Sequence, residues 1–496
     1  MMKFDNHKHI ARFTIEATTP LAIGSGVENA ITDQLVMRDA NGMPYIPGTS
    51  LAGALRSALQ GYHFDGADSN TLFGDEACQQ GSLLIISNAC LRGTNGHVVE
   101  GINQTDDEFL NHYKVLPIRQ HVRITHKGVG ANQAKFDQEV VYKGTRFVFE
   151  LTMHGGQPSV WMRLVESIVS QFPIIGGGSR NGFGHFEVVA YSTRSFDMKN
   201  PGDRNDYLAH SASLNSPLKE EAVLREANEG KSSYIKYNLS LKAENFFLFG
   251  VGGGDETADM IPVKEEVVEW SDPNHPKFSE QYTLIPGTSV KGAIAHRVAY
   301  HYNVLKNMTT ARIKELAIEP DKAWIDSYTQ GVYEVIMNGD GFTKEMITDL
   351  ATLYNPAVLN LFGYVAEDKS KLIEETIKWP EVNPKRESDS LSSKRGRVVI
   401  KDIFQKVKTE KYLNHVAIDR FTGGALDGAL FTERVSFFQE PFSLEIWVDR
   451  KDDNLLPDAL EALELTIDDL CNAKLPLGGG VMRGNGCFNG EFKKGE

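Results

Sequence analysis

The sequence predicts an α+β protein made of two tandem ferredoxin-like units with antiparallel sheets, the second carrying a helical insertion. Three observations predict it. Alternating apolar residues mark strands and four-residue apolar spacing marks helices, in the order strand, helix, strand, strand, helix, strand. A set of short motifs occurs twice along the chain in the same order. At 496 residues the chain exceeds one ordinary core, so two or three domains are expected.

From Ile10 to Ala17 the residues alternate, with Phe13, Ile15 and Ala17 on one face, as in a half-buried strand. A glycine turn at Gly24 follows, then a loop carrying Asp33, then Pro47-Gly-Thr-Ser50. Thr49 or Ser50 can cap a helix in which Leu51, Leu55 and Leu59 recur. Leu83 to Ile86 reads as a buried strand. Residues 112–145 hold Arg119, His121, Arg123, His126, Lys127 and Lys135, the composition of an exposed basic hairpin or loop. Thr145 to Leu151 alternates again, and Val160, Leu164, Ile168 and Phe172 have helical spacing. The loop Gly176-Gly-Gly-Ser-Arg180-Asn-Gly-Phe-Gly184 feeds a last strand. Residues 193–232, rich in Asn, Ser, Asp and Glu, read as a connection that is helical around Leu218 to Ala227.

The cycle restarts with an alternating strand at Tyr237 to Leu241, a glycine turn at Gly250 and a loop carrying Asp259. Pro286-Gly-Thr-Ser289 opens a helix with Val290, Ile294 and Val298 on one face. Leu361-Phe-Gly363 repeats Leu72-Phe-Gly74, His415-Val416 repeats His121-Val122, and Gly478 to Gly486 repeats the triple-glycine loop. The copies are offset by 226 residues at the first glycine and 302 at the last loop, so the second carries insertions. The predicted division is residues 1–192, a linker at 193–232, and 233–496 with insertions near 303–360 and 364–396.

Composition narrows the function classes. Hydrophobic residues at 41% and charged residues at 24% describe a globular protein, and the net charge of −14 argues against a generally basic nucleic-acid binder while leaving room for a local basic groove. The four cysteines form no Cys-x-x-Cys pair, which sets aside structural zinc and suggests free thiols in a reducing compartment. No apolar run approaches membrane-spanning length and the polar N-terminus lacks a signal-peptide pattern, so a cytoplasmic location is expected.

Gly48 to Gly53 and Gly287 to Gly292 have the glycine spacing of a phosphate-binding P-loop, but the next residues are Ala-Leu and Ala-Ile instead of Lys and Ser/Thr. That sets aside nucleotide hydrolysis. A helix start can still hold a phosphodiester oxygen, and the alternative is an ordinary capped helix. The triple glycines beside Arg180 and Arg483 permit close approach of a ligand with a guanidinium to pair a phosphate; the alternative is a tight turn into a strand. Asp33 and Asp259 each lie nine residues after the first glycine of their copy. Such an acid is a turn former, or it orients a divalent metal or deprotonates a ribose 2′-hydroxyl. Asp39 and Glu265, six residues further on, are weaker candidates that serve a turn or an ion pair equally well. His121 and His415 also recur, and packing at a hairpin base explains them as well as chemistry does.

Taken in order, the glycine turn, lone Asp, Ile-Pro-Gly-Thr-Ser-x-x-Gly-Ala-[Leu/Ile], Leu-Phe-Gly and Gly-Gly-Gly…Arg-x-Gly motifs resemble the repeat-associated mysterious protein (RAMP) superfamily. In particular they are similar to the backbone subunits of type III CRISPR effector complexes. The resemblance implies an RNA-recognition-like core with a thumb hairpin, near 115–140 and 405–435, and stacking along a guide RNA. It implies that Asp33 and Asp259 are the acids that support target-RNA cleavage with a divalent metal, Mg2+. Guide-backbone contacts are implied at Ser50, Arg56, Arg180, Ser289, Lys291, Arg297 and Arg483. Further RNA contacts are implied at Gly177, Gly178, Gly479 and Gly480, and on the thumbs at Arg123, Lys127 and Arg420. The chain departs from the family in being a fused pair, in having Ala52 opposite Lys291, and in a longer Asp259 loop with Glu265 opposite Asp39.

The function expected is a guide-RNA-binding backbone subunit that cleaves complementary single-stranded RNA at two sites, with other protein subunits as partners and no membrane. The alternatives are a non-catalytic scaffold of the same complex and a metal-independent endoribonuclease that processes guide RNA.

Overall fold

The computed structural model describes residues 6–28, 32–60, 62, 69–75, 81–102, 107–125, 128–218, 221–222, 234–307, 355–364, 394–407, 409–438, 440–450 and 455–495. In the first copy, strand β1 (His7–Ala17) leads to helix α1 (Gly48–Ala58) and strand β2 (Leu84–Ile86). A hairpin of β3 (Ile118–Ile124) and β4 (Gly130–Glu139) comes next, forming a two-stranded sheet of its own. Strand β5 (Arg146–His154), helix α2 (Pro158–Ser170) and strand β6 (Phe186–Asp197) complete the unit. The main strands lie in the order β2-β5-β1-β6, each antiparallel to its neighbour. That is the ferredoxin-like order, with the hairpin inserted between the second and third strands.

The second copy repeats this plan. Strand β7 (Tyr234–Ala243) precedes helix α3 (Gly287–Leu305) and strand β8 (Val398–Ile400). Strands β9 (Thr409–Ile418) and β10 (Ala425–Phe437) form the separate hairpin. Strand β11 (Phe442–Asp449), helix α4 (Pro457–Cys471) and strand β12 (Phe488–Gly495) follow. The sheet order is β8-β11-β7-β12, again antiparallel throughout.

Each sheet buries one face under its two helices. On β1 the alternating Ala11, Phe13 and Ile15 are fully buried and share a core with Leu51 and Leu55 of α1 and Trp161, Leu164 and Ile168 of α2. Phe13 stands opposite Phe149 with ring centroids 5.1 Å apart. Each such side chain contributes about 1.5–3 kcal/mol by leaving water. Leu239, Leu241, Leu444 and Ile446 do the same in the second unit, against Val290, Ile294, Leu463 and Ile467. The Leu-Phe-Gly motifs end short helices, Ser69–Phe73 and Pro356–Phe362, at Gly74 and Gly363, whose φ values of 87° and 75° suit glycine.

Three local expectations are corrected. Neither Thr49 nor Ser50 caps α1: the helix begins at Gly48 after Pro47 with no side-chain cap, and the Gly48 N–H instead donates to Asn88 Oδ1 (2.9 Å). Strand β2 is an edge strand with Ile85 56% exposed; an apolar run alone cannot distinguish it from a central strand. Glu221 and Ala222 are extended and pair with Ser192 and Tyr191, because β6 continues to Asp197 and offers them an edge; residues 219–220 and 223–227, the rest of the helix expected around Leu218 to Ala227, lie outside the described residues. So does most of both expected insertions, at 308–354 and 365–393.

The compact units are assembled differently from the sequence copies. One comprises Met1–Val122, Gln133–Lys231 and Lys264–Tyr282, the other Arg123–Asn132, Ser232–Val263 and Thr283–Glu496. Within the first unit, the borrowed segment places Val268 in the core and lays Trp270 under the Arg146 guanidinium, 4.0 Å from the ring centroid. Trp270 Nε1 donates to the Gly144 carbonyl (2.7 Å). Residues 198–218 cover the other face of the sheet, where the buried Arg12 donates to Glu150 (2.8 Å) and to the Ser211 carbonyl (2.9 Å). Among the described residues no helix is long and apolar enough to cross a membrane.

Candidate functional site

The loops that carry the two candidate acids are fastened in the same way. Asp33 is exposed, and its Oδ2 accepts the backbone N–H of Asp137 on β4 at 2.9 Å. Asp259 is also exposed, and its Oδ2 accepts the backbone N–H of Thr432 on β10 at 2.7 Å. A one-residue parallel bridge continues each contact, Gln34 with Gln138 and Met260 with Glu433. The Glu139 N–H donates to the Gln34 carbonyl (2.9 Å), and the Arg434 N–H to the Met260 carbonyl (2.8 Å). Each acid therefore sits at the base of its hairpin against the outgoing strand. The partners lie 104 and 173 residues apart in sequence, so no local spacing reveals them.

The surroundings of the acids differ between copies. Beside Asp259, Arg434 pairs with Asp255 (3.0 Å), whose Oδ1 also accepts from the Thr257 hydroxyl (2.6 Å) and the N–H groups of Thr257 (2.8 Å) and Ala258 (3.0 Å). These bonds, that from the Thr257 hydroxyl foremost, pull the Asp255 carboxyl down to about 2. Tyr412, across the hairpin from Arg434, is held below its ordinary value by hydrogen bonding to Thr257 and then to Arg434. In the first copy the position of Arg434 is taken by Glu139, which binds Arg38 (2.6 Å).

The paired histidines pack at the hairpin bases, as their sequence context implies. His121 stacks on Phe136 and His415 on Phe431, with centroids 4.7 and 4.8 Å apart. His415 also reaches the fully buried Glu433 (3.0 Å), and Glu433 takes the guanidinium of Arg483. Asp39 forms a turn by accepting from the N–H groups of Asn41 and Met43, both at 2.8 Å. Glu265 is buried in a two-bond pair with Arg119 (2.6 and 2.7 Å), which closes it to solvent, whereas Asp39 stays half-buried.

The Pro-Gly-Thr-Ser glycines have a packing cause. A Cβ on Gly48 would stand 2.4 Å from the Ile86 carbonyl oxygen, and one on Gly287 2.4 Å from that of Ile400. The first turn of each helix is thus pressed against the neighbouring strand, with its leading N–H bound to Asn88 in one copy and Asp402 (2.8 Å) in the other. Ser50 and Ser289 remain exposed just beyond. In the glycine loops, Gly177 and Gly479 donate to the carbonyls of Ala22 (2.7 Å) and Leu248 (2.6 Å). Gly178 and Gly480 have φ of 66° and 70° and start the short turns carrying Arg180 and Arg483. These contacts bring each glycine loop beside the loop that follows β1 or β7 in its own unit.

The remaining expected RNA contacts fall into three groups. Arg56, Arg123 and Arg420 are exposed, Arg56 donating to Asn70 (3.3 Å). Arg297 is partly buried and tied to Asp469 (2.6 Å), a bond between helices α3 and α4; Lys291 and Arg180 are half-buried. Lys127 lies outside the described residues. At the tip of the second hairpin, Asp419 accepts from the Thr422 hydroxyl (2.7 Å) and the Phe421 N–H (3.1 Å), which presents Phe421 with its side chain 99% exposed beside Arg420.

Sequence reading missed Asp137, Thr432, Glu139, Arg434 and Asp255. The usable signal was the alignment of Phe136-Asp-Gln-Glu139 with Phe431-Thr-Glu-Arg434, between the repeated His-Val and triple-glycine motifs. Among the described residues no three His, Cys, Asp or Glu side chains converge on a metal position. Each candidate acid supplies a single exposed carboxylate, a donor set that suits Mg2+ where phosphate oxygens and water complete its shell.

None of the curated proteins compared with the chain matches it. A family model described as the RAMP superfamily matches residues 14–187 and again residues 251–489, one match on each copy and together most of the chain. With both copies matched, and with each folded as a ferredoxin-like unit bearing a hairpin, the chain belongs to the RAMP superfamily as a tandem of two RAMP regions.

Proposed function

We propose that this chain is a guide-RNA-binding backbone subunit of a type III CRISPR complex that cleaves complementary single-stranded RNA at two sites, in the cytoplasm and together with other protein subunits. The observation that carries the reading is the matched placement of Asp33 and Asp259, each exposed and each bonded to the amide of the outgoing hairpin strand. Membership of a superfamily that includes CRISPR-associated RNA-binding proteins, some of them endoribonucleases, supports it. The exposed Phe421 and Arg420 at a hairpin tip suit a wedge that disturbs base stacking.

In the proposed reaction a ribose 2′-oxygen attacks the adjacent phosphorus in line. The 2′-O–P bond forms, the P–O5′ bond breaks with the departing 5′-oxygen taking a proton from water, and the products end in a 2′,3′-cyclic phosphate and a 5′-hydroxyl. Asp33 or Asp259 accepts the 2′-hydroxyl proton, one carboxylate oxygen being oriented by its bond to the strand amide. Both acids are also the residues that would hold a divalent ion, Mg2+, which when bound supplies positive charge at the reacting phosphate. The test is Asp33→Ala and Asp259→Ala, singly and together, in the assembled complex. Each substitution should remove one cleavage product with guide binding intact, and an unchanged product pattern refutes the assignment. A non-catalytic scaffold is the second reading, favoured by the fact that the amide bonds alone give both carboxylates a structural use. The same substitutions decide between the two.

A further inference from the structure

Two residues outside the proposed chemistry occupy one register position in both copies. Glu139 follows Asp137 by two residues, and Arg434 follows Thr432 by two; Asp137 and Thr432 provide the amides that hold the candidate acids. Glu139 takes the Arg38 guanidinium (2.6 Å) and accepts the Val36 N–H (2.9 Å), gripping the loop just after Asp33. Arg434 pairs with Asp255 (3.0 Å), gripping the loop just before Asp259. The charge is reversed between copies and the partner changes sides of the acid, yet the mechanical result is the same. In both, the acid lies in a short loop segment tied to the outgoing strand by a backbone bridge and by an ion pair.

The first pair is sheltered; in the second, Arg434 is largely covered while Asp255 stays open to solvent. Glu139 and Arg38 keep 11% and 24% of their side-chain exposure, Arg434 and Asp255 19% and 35%. Solvated surface charges have no reason to keep a partner on the same loop while exchanging sign. A required distance between loop and strand does give a reason, because either polarity satisfies it.

We propose that Glu139 and Arg434 are positioning residues for RNA cleavage, each fixing the acid-bearing loop to the hairpin so that carboxylate and hairpin move as one body. The proposal rests on the reading of Asp33 and Asp259 as the cleaving acids. Displacement of a reacting group by about 1 Å costs on the order of a hundredfold in rate, so a loosened loop should be felt in the chemical step.

The test uses Glu139→Gln, which keeps an oxygen for the Val36 N–H but removes the charge facing Arg38, together with Arg434→Gln and Arg434→Lys. In the assembled complex at saturating target RNA, Glu139→Gln should slow cleavage at the first site about ten- to a hundredfold, with the second site and target affinity unchanged. Arg434→Gln should do the converse, and Arg434→Lys should recover most of the loss. In the full-length chain alone, amide exchange should quicken over residues 34–38 in Glu139→Gln and 255–260 in Arg434→Gln. Equal slowing at both sites, affinity lost in step with rate, or unchanged loop exchange would overturn the proposal. Asp33→Asn and Asp259→Asn separate it from the reading beneath it. Cleavage that survives them refutes the acids and the purpose of the clamp together. Cleavage lost there, but at full rate in Glu139→Gln and Arg434→Gln, refutes the clamp alone.

Discussion

Removing the Glu265 carboxylate should destabilise the first unit severely. Glu265 and Arg119 are only 6% and 5% exposed and share two hydrogen bonds of 2.6 and 2.7 Å, while the Arg119 guanidinium lies 5.0 Å over the Phe183 ring. In Glu265→Ala the guanidinium stays buried without its counter-charge, a loss of about 3–5 kcal/mol. Replacing both partners, as in Arg119→Met with Glu265→Met, removes the desolvation cost along with the attraction and should recover most of that loss. The assay is hydrogen exchange of the β1 amides around Phe13 in the full chain, read as a double-mutant cycle. Each 1.4 kcal/mol is about tenfold in the opening equilibrium, so Glu265→Ala should speed exchange by about two to three and a half orders of magnitude. A change below about 1 kcal/mol in Glu265→Ala, or a double variant no better than the single, would refute the reasoning.

Three other outcomes are expected. Burial pushes the Asp469 carboxyl up, but hydrogen bonds from His301 and Arg297 prevail and hold it below its ordinary value; its stabilising contribution is therefore present above about pH 4 and lost as pH falls further, and Asp469→Asn should flatten acid unfolding of the second unit below about pH 4. A fragment ending at residue 232 lacks Val268, Trp270 and Phe278, the last packed 5.2 Å from Phe109 between ring centroids, so it should bind an apolar dye and melt below a fragment ending at 282 in thermal scans. Gly48→Ala and Gly287→Ala should each lose about 1–3 kcal/mol in urea titrations through the 2.4 Å approach to a carbonyl, whereas Gly53→Ala and Gly292→Ala, with open space around them in a helix, should gain up to about 1 kcal/mol.

Much of the fold could be read from local pattern. Phe13 and Ile15, or Leu239 and Leu241, alternate because a strand with one buried face requires it, and the structure buries them. The late helix over Val160 to Ile168 is visible from its 3.6-residue period for the same reason. Where a pattern has two physical causes, the reading failed. An apolar Leu83 to Ile86 suits a central strand or an edge, and Thr-Ser after Pro-Gly suits a cap although Asn88 and Asp402 already bind the first amide. The candidate acids stood out only because each kept its spacing in two copies.

By itself the sequence determined the two ferredoxin-like units, their hairpins and the two lone acids, because periodicity, turn residues and repetition are local properties of the chain. Only the tertiary structure decided what the acids touch. The amides of Asp137 and Thr432, the clamps at Glu139 and Arg434, and the burial of Glu265 against Arg119 all join residues more than a hundred positions apart or opposite in sign between copies. Their pairing depends on where the outgoing hairpin strand runs, and that is decided only in the folded chain. It is not carried by any stretch of sequence near Asp33 or Asp259.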